Sequence, residues 1–342
     1  MKIRTLFNII FLLATIYSQD YFTMDHDGYV REYYVSYPEN VLGSAPLIIS
    51  MHGFGGTALD QQLYTEMDNY AHPMGVAVVY PQGLGYSWNV GAFWTNFNIA
   101  DDIDFISELI DKVSEDYLID LEKVYATGMS NGGYMTYELA CELSHKIAAF
   151  GSVTGNFMLN NDQVCNPEKE VPIIHIHGTS DAVVDYYPPS FDGALTVSES
   201  IEYWNDINKL DSVDTENLIG ELGVLSAEKF TYFRQSTQTK FIHYKVENGG
   251  HDWFGSPYVS PSVVNASELL VNFFLEYSLH ELPCLSPNGD VNGDEQINTF
   301  DFLNMLSHIS SLDYIYEDSC LDLNADSYID IIDLLLMSDL VF

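Results

Sequence analysis

Apolar residues follow two rhythms along this chain. Residues 29–37, Tyr-Val-Arg-Glu-Tyr-Tyr-Val-Ser-Tyr, alternate and are rich in β-formers, which predicts a strand. Pro46–Met51 is instead a continuous apolar run ending in His52-Gly-Phe-Gly-Gly56, the pattern of a buried strand feeding a glycine loop. Shorter runs at 76–80, 124–126, 147–153, 171–176 and 241–246 predict further strands. Between them the spacing turns helical: a polar stretch around 60–72, then 101–115, 134–143, 198–210 and 263–277. In the 101–115 stretch, Ile103, Phe105, Ile106, Leu109, Ile110 and Val113 make one apolar face. Its acidic first turn suits the positive end of a helix dipole. Strands alternating with helices predict an α/β fold, a mostly parallel sheet with helices on both faces. Residues 213–239 are polar with no firm period and predict an insertion or variable loop.

One strand-to-helix junction is chemically distinctive. Gly128-Met-Ser-Asn-Gly132 is the only G-x-S-x-G in the chain, lying between the 124–126 strand and the helix from Tyr134. That context predicts a sharp turn that raises the Ser130 hydroxyl where a base and a substrate carbonyl can reach it. A serine needs an imidazole base, itself oriented by a carboxylate, and on this fold the order is Ser, acid, His. Asp181 follows the strand that includes Ile173–Ile176, with Asp185 as runner-up acid. His251 follows the 241–246 strand and a flexible Asn-Gly-Gly, whereas His243 lies inside that strand and reads as a packed residue. Ser130, Asp181 and His251 are therefore the expected triad. The backbone N–H groups of Asn131 and Phe54 are the expected oxyanion donors. His175 and His177 share one strand face, and no Cys or carboxylate has obvious spacing to complete a metal site, so they read as structural. Trp88, Phe93, Trp94, Trp253 and Phe254 flank these motifs and are expected to line an aromatic, substrate-binding cleft.

Composition narrows the partners. Asp and Glu outnumber Lys and Arg 50 to 12, a net charge of −38 that disfavours nucleic acid and anionic membranes. Residues 1–18, with Lys2 and Arg4 before an apolar run from Leu6 to Ile16, read as a signal peptide, so the mature protein is expected outside the cell. No other stretch suits a membrane span. Export allows disulfides. Four cysteines admit three pairings, and the local one, Cys141–Cys165 with Cys284–Cys320, keeps each pair inside one domain.

Composition shifts again near residue 282, which divides an expected 19–281 domain from a 282–342 module. From Val246 onward there is no Lys or Arg. Two twelve-residue loops follow in register. Oxygen ligands recur at positions 1, 3, 5, 9 and 12: Asp290, Asn292, Asp294, Asn298 and Asp301, then Asp322, Asn324, Asp326, Asp330 and Asp333. The backbone carbonyls of Gln296 and Tyr328 stand at position 7. This spacing suits two Ca²⁺ ions, and an apolar-periodic helix follows each loop. No cofactor is expected for catalysis.

The motifs together carry a resemblance. His52-Gly53, Gly128-Met-Ser-Asn-Gly-Gly133, His177-Gly-Thr-Ser-Asp181 and Gly249-Gly-His-Asp-Trp253 are similar to those of the secreted poly(3-hydroxybutyrate) depolymerase-like esterases. That group includes the feruloyl and acetylxylan esterases of carbohydrate esterase family 1, and the resemblance covers about residues 25–279. It implies an α/β-hydrolase with Ser130 as nucleophile, Asp181 as acid and His251 as base, and a Cys141–Cys165 bridge. The implied activity is ester hydrolysis on cell-wall polysaccharide. Polyester depolymerisation is the alternative, and an inert hydrolase domain in a scaffold component is a more remote one. Trp253-Phe254-Gly255 departs from the Trp-Pro-Gly frequent in the group, so specificity does not carry over. The C-terminal repeats resemble a type I dockerin, a small α-helical module whose partner is a cohesin-type scaffold protein. Two features differ. Glu295 and Ser327 replace the loop glycine, and Thr299-Phe300 and Ile331-Ile332 occupy the recognition positions. A stability or surface-attachment role is the alternative for this module.

Overall fold

Parallel register decides where the chemistry of this molecule can lie. The computed structural model describes residues 19–39, 41–91, 96–158, 165–188, 193–283, 285, 289, 297–310, 321–324 and 329–341. Among the described residues ten strands form one sheet: β1 Gln19–His26, β2 Tyr29–Ser36, β3 Ala45–Met51, β4 Ala77–Pro81, β5 Ile119–Met129, β6 Ala149–Val153, β7 Ile173–Gly178, β8 Ser212–Leu218, β9 Ala227–Phe233 and β10 Lys240–Val246. Their order is β1-β2-β4-β3-β5-β6-β7-β10-β9-β8. The six central strands run parallel, and antiparallel pairs flank them on both sides. This is the α/β-hydrolase fold.

Helices cover both faces. α1 (Ala58–Thr65) and α2 (Asp68–Ala71) lie on one side with α6 (Ala266–Phe274); α3 (Asp102–Asp116), α4 (Asn131–Glu142) and α5 (Val197–Ile207) lie on the other. Successive strand residues serve opposite cores: Leu47, Ile49 and Met51 pack with Phe105 and Leu109, while Ile48 packs with Ala71 and Leu270. A strand buried on both faces has no solvent-facing side, which is why these runs are largely apolar and continuous rather than alternating. Truncating such a side chain to Ala typically costs ~2–5 kcal/mol.

Three differences from the sequence reading have physical causes. The polar 60–72 stretch is two helices, because Glu66 turns left-handed (φ 48) and ends α1. Residues 213–239 are not a loop: β8 and β9 pair antiparallel and extend the sheet. β8 is exposed along most of its length, and a strand with little buried face shows no hydrophobic period. β1 was absent from the reading for the same reason, since only Phe22, Met24 and His26 turn inward.

Cys141 and Cys165 form the expected disulfide. Cys284, Cys320 and residues 1–18 lie outside the described residues. Leu282 packs in the hydrolase core, and Leu285 N–H donates to Glu168 O at 2.7 Å. A separate cluster, Met305, Leu321, Leu334 and Met337, is built on α7 (Thr299–Ser310), α8 (Ile331–Val341) and the segment before α8. Among the described residues, no helix is long and apolar enough to cross a membrane.

Candidate active site

The C-terminal ends of β3, β5, β7 and β10 open on one edge of the sheet, and the loops leaving them carry the chemistry. β5 pairs Met51 of β3 with Gly128, so the two following turns are neighbours. Ser130 sits between β5 and α4 at φ 53, ψ −119, a conformation that costs roughly 1–3 kcal/mol for a residue with a Cβ. Packing imposes it. A Cβ on Gly132 would lie 2.4 Å from the Met51 carbonyl oxygen, and one on Gly128 would lie 2.4 Å from the Gly132 backbone. Ser130 N–H donates to Val153 O at 2.9 Å, and Ser130 O accepts from Tyr134 N–H at 2.9 Å.

The His52–Gly56 loop rests against this elbow; a Cβ on Gly53 would come 3.4 Å from the Ser130 Cβ. His52 is buried, and burial lowers its pKa to about 4, so the ring is neutral. Its Nδ1–H donates to Gly53 O at 2.8 Å, and its Nε2 accepts from Gly83 N–H at 3.0 Å. Those bonds fix the tautomer and the course of the loop. Phe54 is half exposed at the loop tip, and Asn131 opens α4, so the two residues expected to supply oxyanion donors flank Ser130.

β7 and β10 pair Gly178 with Val246, which brings the turns carrying Asp181 and His251 together. Asp181 Oδ2 accepts from His251 Nδ1–H at 2.7 Å. Its Oδ1 accepts from the N–H groups of Val183 and Val184 at 2.8 and 2.9 Å. Burial alone would raise the Asp181 pKa, but hydrogen bonds from His177 and His251 outweigh it and hold the carboxyl well below its usual range. Ser130 and His251 line one cavity of about 230 Å³, together with Phe54, Asp60, Tyr64 and Met129.

Three of the expected cleft residues lie elsewhere. Trp88 is fully buried: its Nε1–H donates to His52 O at 2.9 Å, and its backbone N–H donates to Asn131 Oδ1 at 2.7 Å. It braces the His52–Gly56 loop against α4 from behind. Trp253 and Phe254 are buried in the core as well, with Trp253 Nε1–H on Ser267 Oγ at 2.9 Å. Phe93 and Trp94 lie outside the described residues. The aromatic wall comes instead from Phe54, edge-on to Phe97 at 4.8 Å, and Tyr64, stacked on Tyr258 at 6.3 Å. Asp60, Gln61 and Tyr64 share one face of α1 just after the glycine loop, a spacing that could have pointed to them. His243 packs inside β10 as expected, and His175 and His177 are buried on β7.

Of the calcium-loop residues, Asn298, Asp301, Asp322, Asn324, Asp330 and Asp333 are described; Asp290, Asn292, Asp294, Gln296, Asp326 and Tyr328 are not. The two loops repeat the same bonds. Asn298 N–H donates to Asp301 Oδ2 and Asp330 N–H to Asp333 Oδ2, both at 2.8 Å. The side chains of Asn298 and Asp330 accept from the N–H groups of Phe300 and Ile332 at 2.8 and 2.7 Å. Asp301 and Asp333 are both fully buried.

Residues 40–196 match the phospholipase/carboxylesterase family. The bifunctional acetylxylan esterase/xylanase of Neocallimastix patriciarum is 34% identical over 161 residues, 46% of this chain and 22% of that protein. Feruloyl esterase B of Piromyces equi is 31% identical over 166 residues, 46% of this chain and 30% of its own length. The matched region is thus under a third of either relative. A solved thermostable esterase shares the fold at a TM-score of 0.51 and 18% identity, over 76% of this chain and 63% of that one.

Proposed function

We propose, from the match of residues 40–196 to the phospholipase/carboxylesterase family, that this chain is a secreted serine carboxylic ester hydrolase that works through an acyl-enzyme. The observation that carries the reading is the 2.7 Å bond between His251 and Asp181, with His251 and the elbow serine on one cavity. His251 takes the Ser130 proton through Nε2 as Ser130 Oγ attacks the ester carbonyl. The N–H groups of Asn131 and Phe54 receive the oxyanion. His251 then protonates the departing alcohol, and water releases the acid by the same route.

The favoured substrate is a feruloyl or acetyl ester on cell-wall polysaccharide. Two names support it, acetylxylan esterase/xylanase and feruloyl esterase, each borne by a relative that this chain matches over less than half its own length. The aromatic flanks of the cavity suit an aryl acyl group. The C-terminal repeats form a separate module in this reading, with calcium on the two loops. The fit is good: the position-12 carboxylates are buried in a segment without Lys or Arg, and a hard cation would neutralise them. Bound calcium would tie each loop to its helix and takes no part in hydrolysis. A cohesin-type scaffold protein is the candidate partner.

The test is product release from methyl ferulate, acetylated xylan and poly(3-hydroxybutyrate), with Ser130→Ala as control. Serine-dependent release from the first two is expected. Release from the polyester alone would transfer the protein to the depolymerases, and release from none would sink the esterase reading.

A further inference from the structure

Asp181 has two imidazoles beside it, and only His251 lines the cavity. The other is His177, fully buried on β7, whose Nε2 lies 3.3 Å from Asp181 Oδ2 and 2.9 Å from Val184 O. Both neighbours are pure acceptors, so Nε2 must carry the hydrogen, shared between them. In a neutral ring that leaves His177 Nδ1 bare, facing His175 Nε2 at 3.2 Å, which then donates. His175 Nδ1 is then an acceptor, and it has no partner among the described residues. The opposite assignment would point a bare Nε2 at a carboxylate and a carbonyl. Burial and the neighbouring histidines push the His175 pKa well down, which keeps this ring neutral. One set of tautomers satisfies each of these contacts and leaves His175 Nδ1 as the unmatched acceptor among the described residues.

We propose that His177 is a second, positioning histidine of the site: an Nε2–H donor, locked in one tautomer by His175, that holds Asp181 in the orientation His251 requires. The proposal rests on the esterase reading above. Asp181 is gripped from four directions, by Val183 N–H, Val184 N–H, His177 and His251. The two backbone donors fix Oδ1, and His177 is the added restraint on the oxygen that meets His251. It touches no substrate.

His177→Leu removes the donor at similar volume. It is expected to lower kcat by about 10- to 100-fold, the size of one hydrogen bond to a charged group, with little change in KM. His177→Gln carries an amide N–H to nearly the same place and should recover most of that loss. A role confined to packing would leave Gln no better than Leu, and that result would overturn the proposal. Nitrogen NMR of the imidazoles in the unmutated protein tests it without relying on any variant to fold. His177 must be the Nε2–H tautomer, and an Nδ1–H His177 would refute the account. Hydrolysis that survives Ser130→Ala would instead remove the esterase reading, while the tautomer would still report on His177 itself.

Discussion

On one side of the cavity, Ser130 is held by backbone packed against backbone; on the other, Asp181 and His251 are held by hydrogen bonds reaching between strands. The elbow is a steric device. Gly128 and Gly132 are there because a Cβ at either would overlap neighbouring main chain, and the strained Ser130 conformation follows from that packing. The Asp181–His251 side is a polar device assembled from β7, β10 and the turns after them. The difference teaches that one half of the site should fail by misfolding locally, and the other by losing alignment or charge while the fold survives.

The largest effect tests what both sides serve. Ser130→Ala should lower kcat on an aryl ester by on the order of 10⁶-fold, read as initial rates, with substrate binding nearly intact. Asp181→Asn should cost about 10⁴-fold in kcat with the melting temperature little changed, since the amide keeps the shape but favours the wrong His251 tautomer. Gly132→Ala sharpens the contrast from the other side: its Cβ meets the Met51 carbonyl, so stability should fall by about 3 kcal/mol or more in denaturant titration.

Acid provides a subtler separation. His243 is buried beside His175 and its pKa is lowered to about 3, chiefly by burial. The unfolded imidazole takes its proton near pH 6.5, so the unfolded state binds more protons between those values. Stability is therefore full above about pH 6.5 and falls as the pH drops toward 3, by about 1.4 kcal/mol per unit for this group. His243→Phe should flatten that slope in urea midpoints measured from pH 7 to 5, whereas Gly132→Ala should leave it unchanged. The smallest effect concerns the cavity wall. Phe54→Ala should lower kcat/KM for a feruloyl ester by about 10-fold and for an acetyl ester much less, because only the aryl group loses its ring contact.

The same contrast explains what could be read from the sequence. The glycines around Ser130 lie within five residues of one another, so the turn and its exposed hydroxyl were legible directly. Asp181 and His251 were legible through order and position after strands, although nothing local shows that they touch. Trp88 and Trp253 misled because proximity to a motif in sequence does not say whether a large ring faces the cavity or braces it from behind. Tyr64 went unremarked because its role depends on α1 lying over the elbow, a tertiary fact. β1 and β8 were missed because edge strands bury too little to show a period.

The most direct measurement is trapping of the acyl-enzyme. The protein would be mixed rapidly with an activated ester, quenched in acid, digested, and its peptides weighed. The account predicts an acyl mass increment on the peptide containing Ser130, formed in a burst and absent from Ser130→Ala. An increment on another residue, or full turnover by the alanine variant, would contradict it.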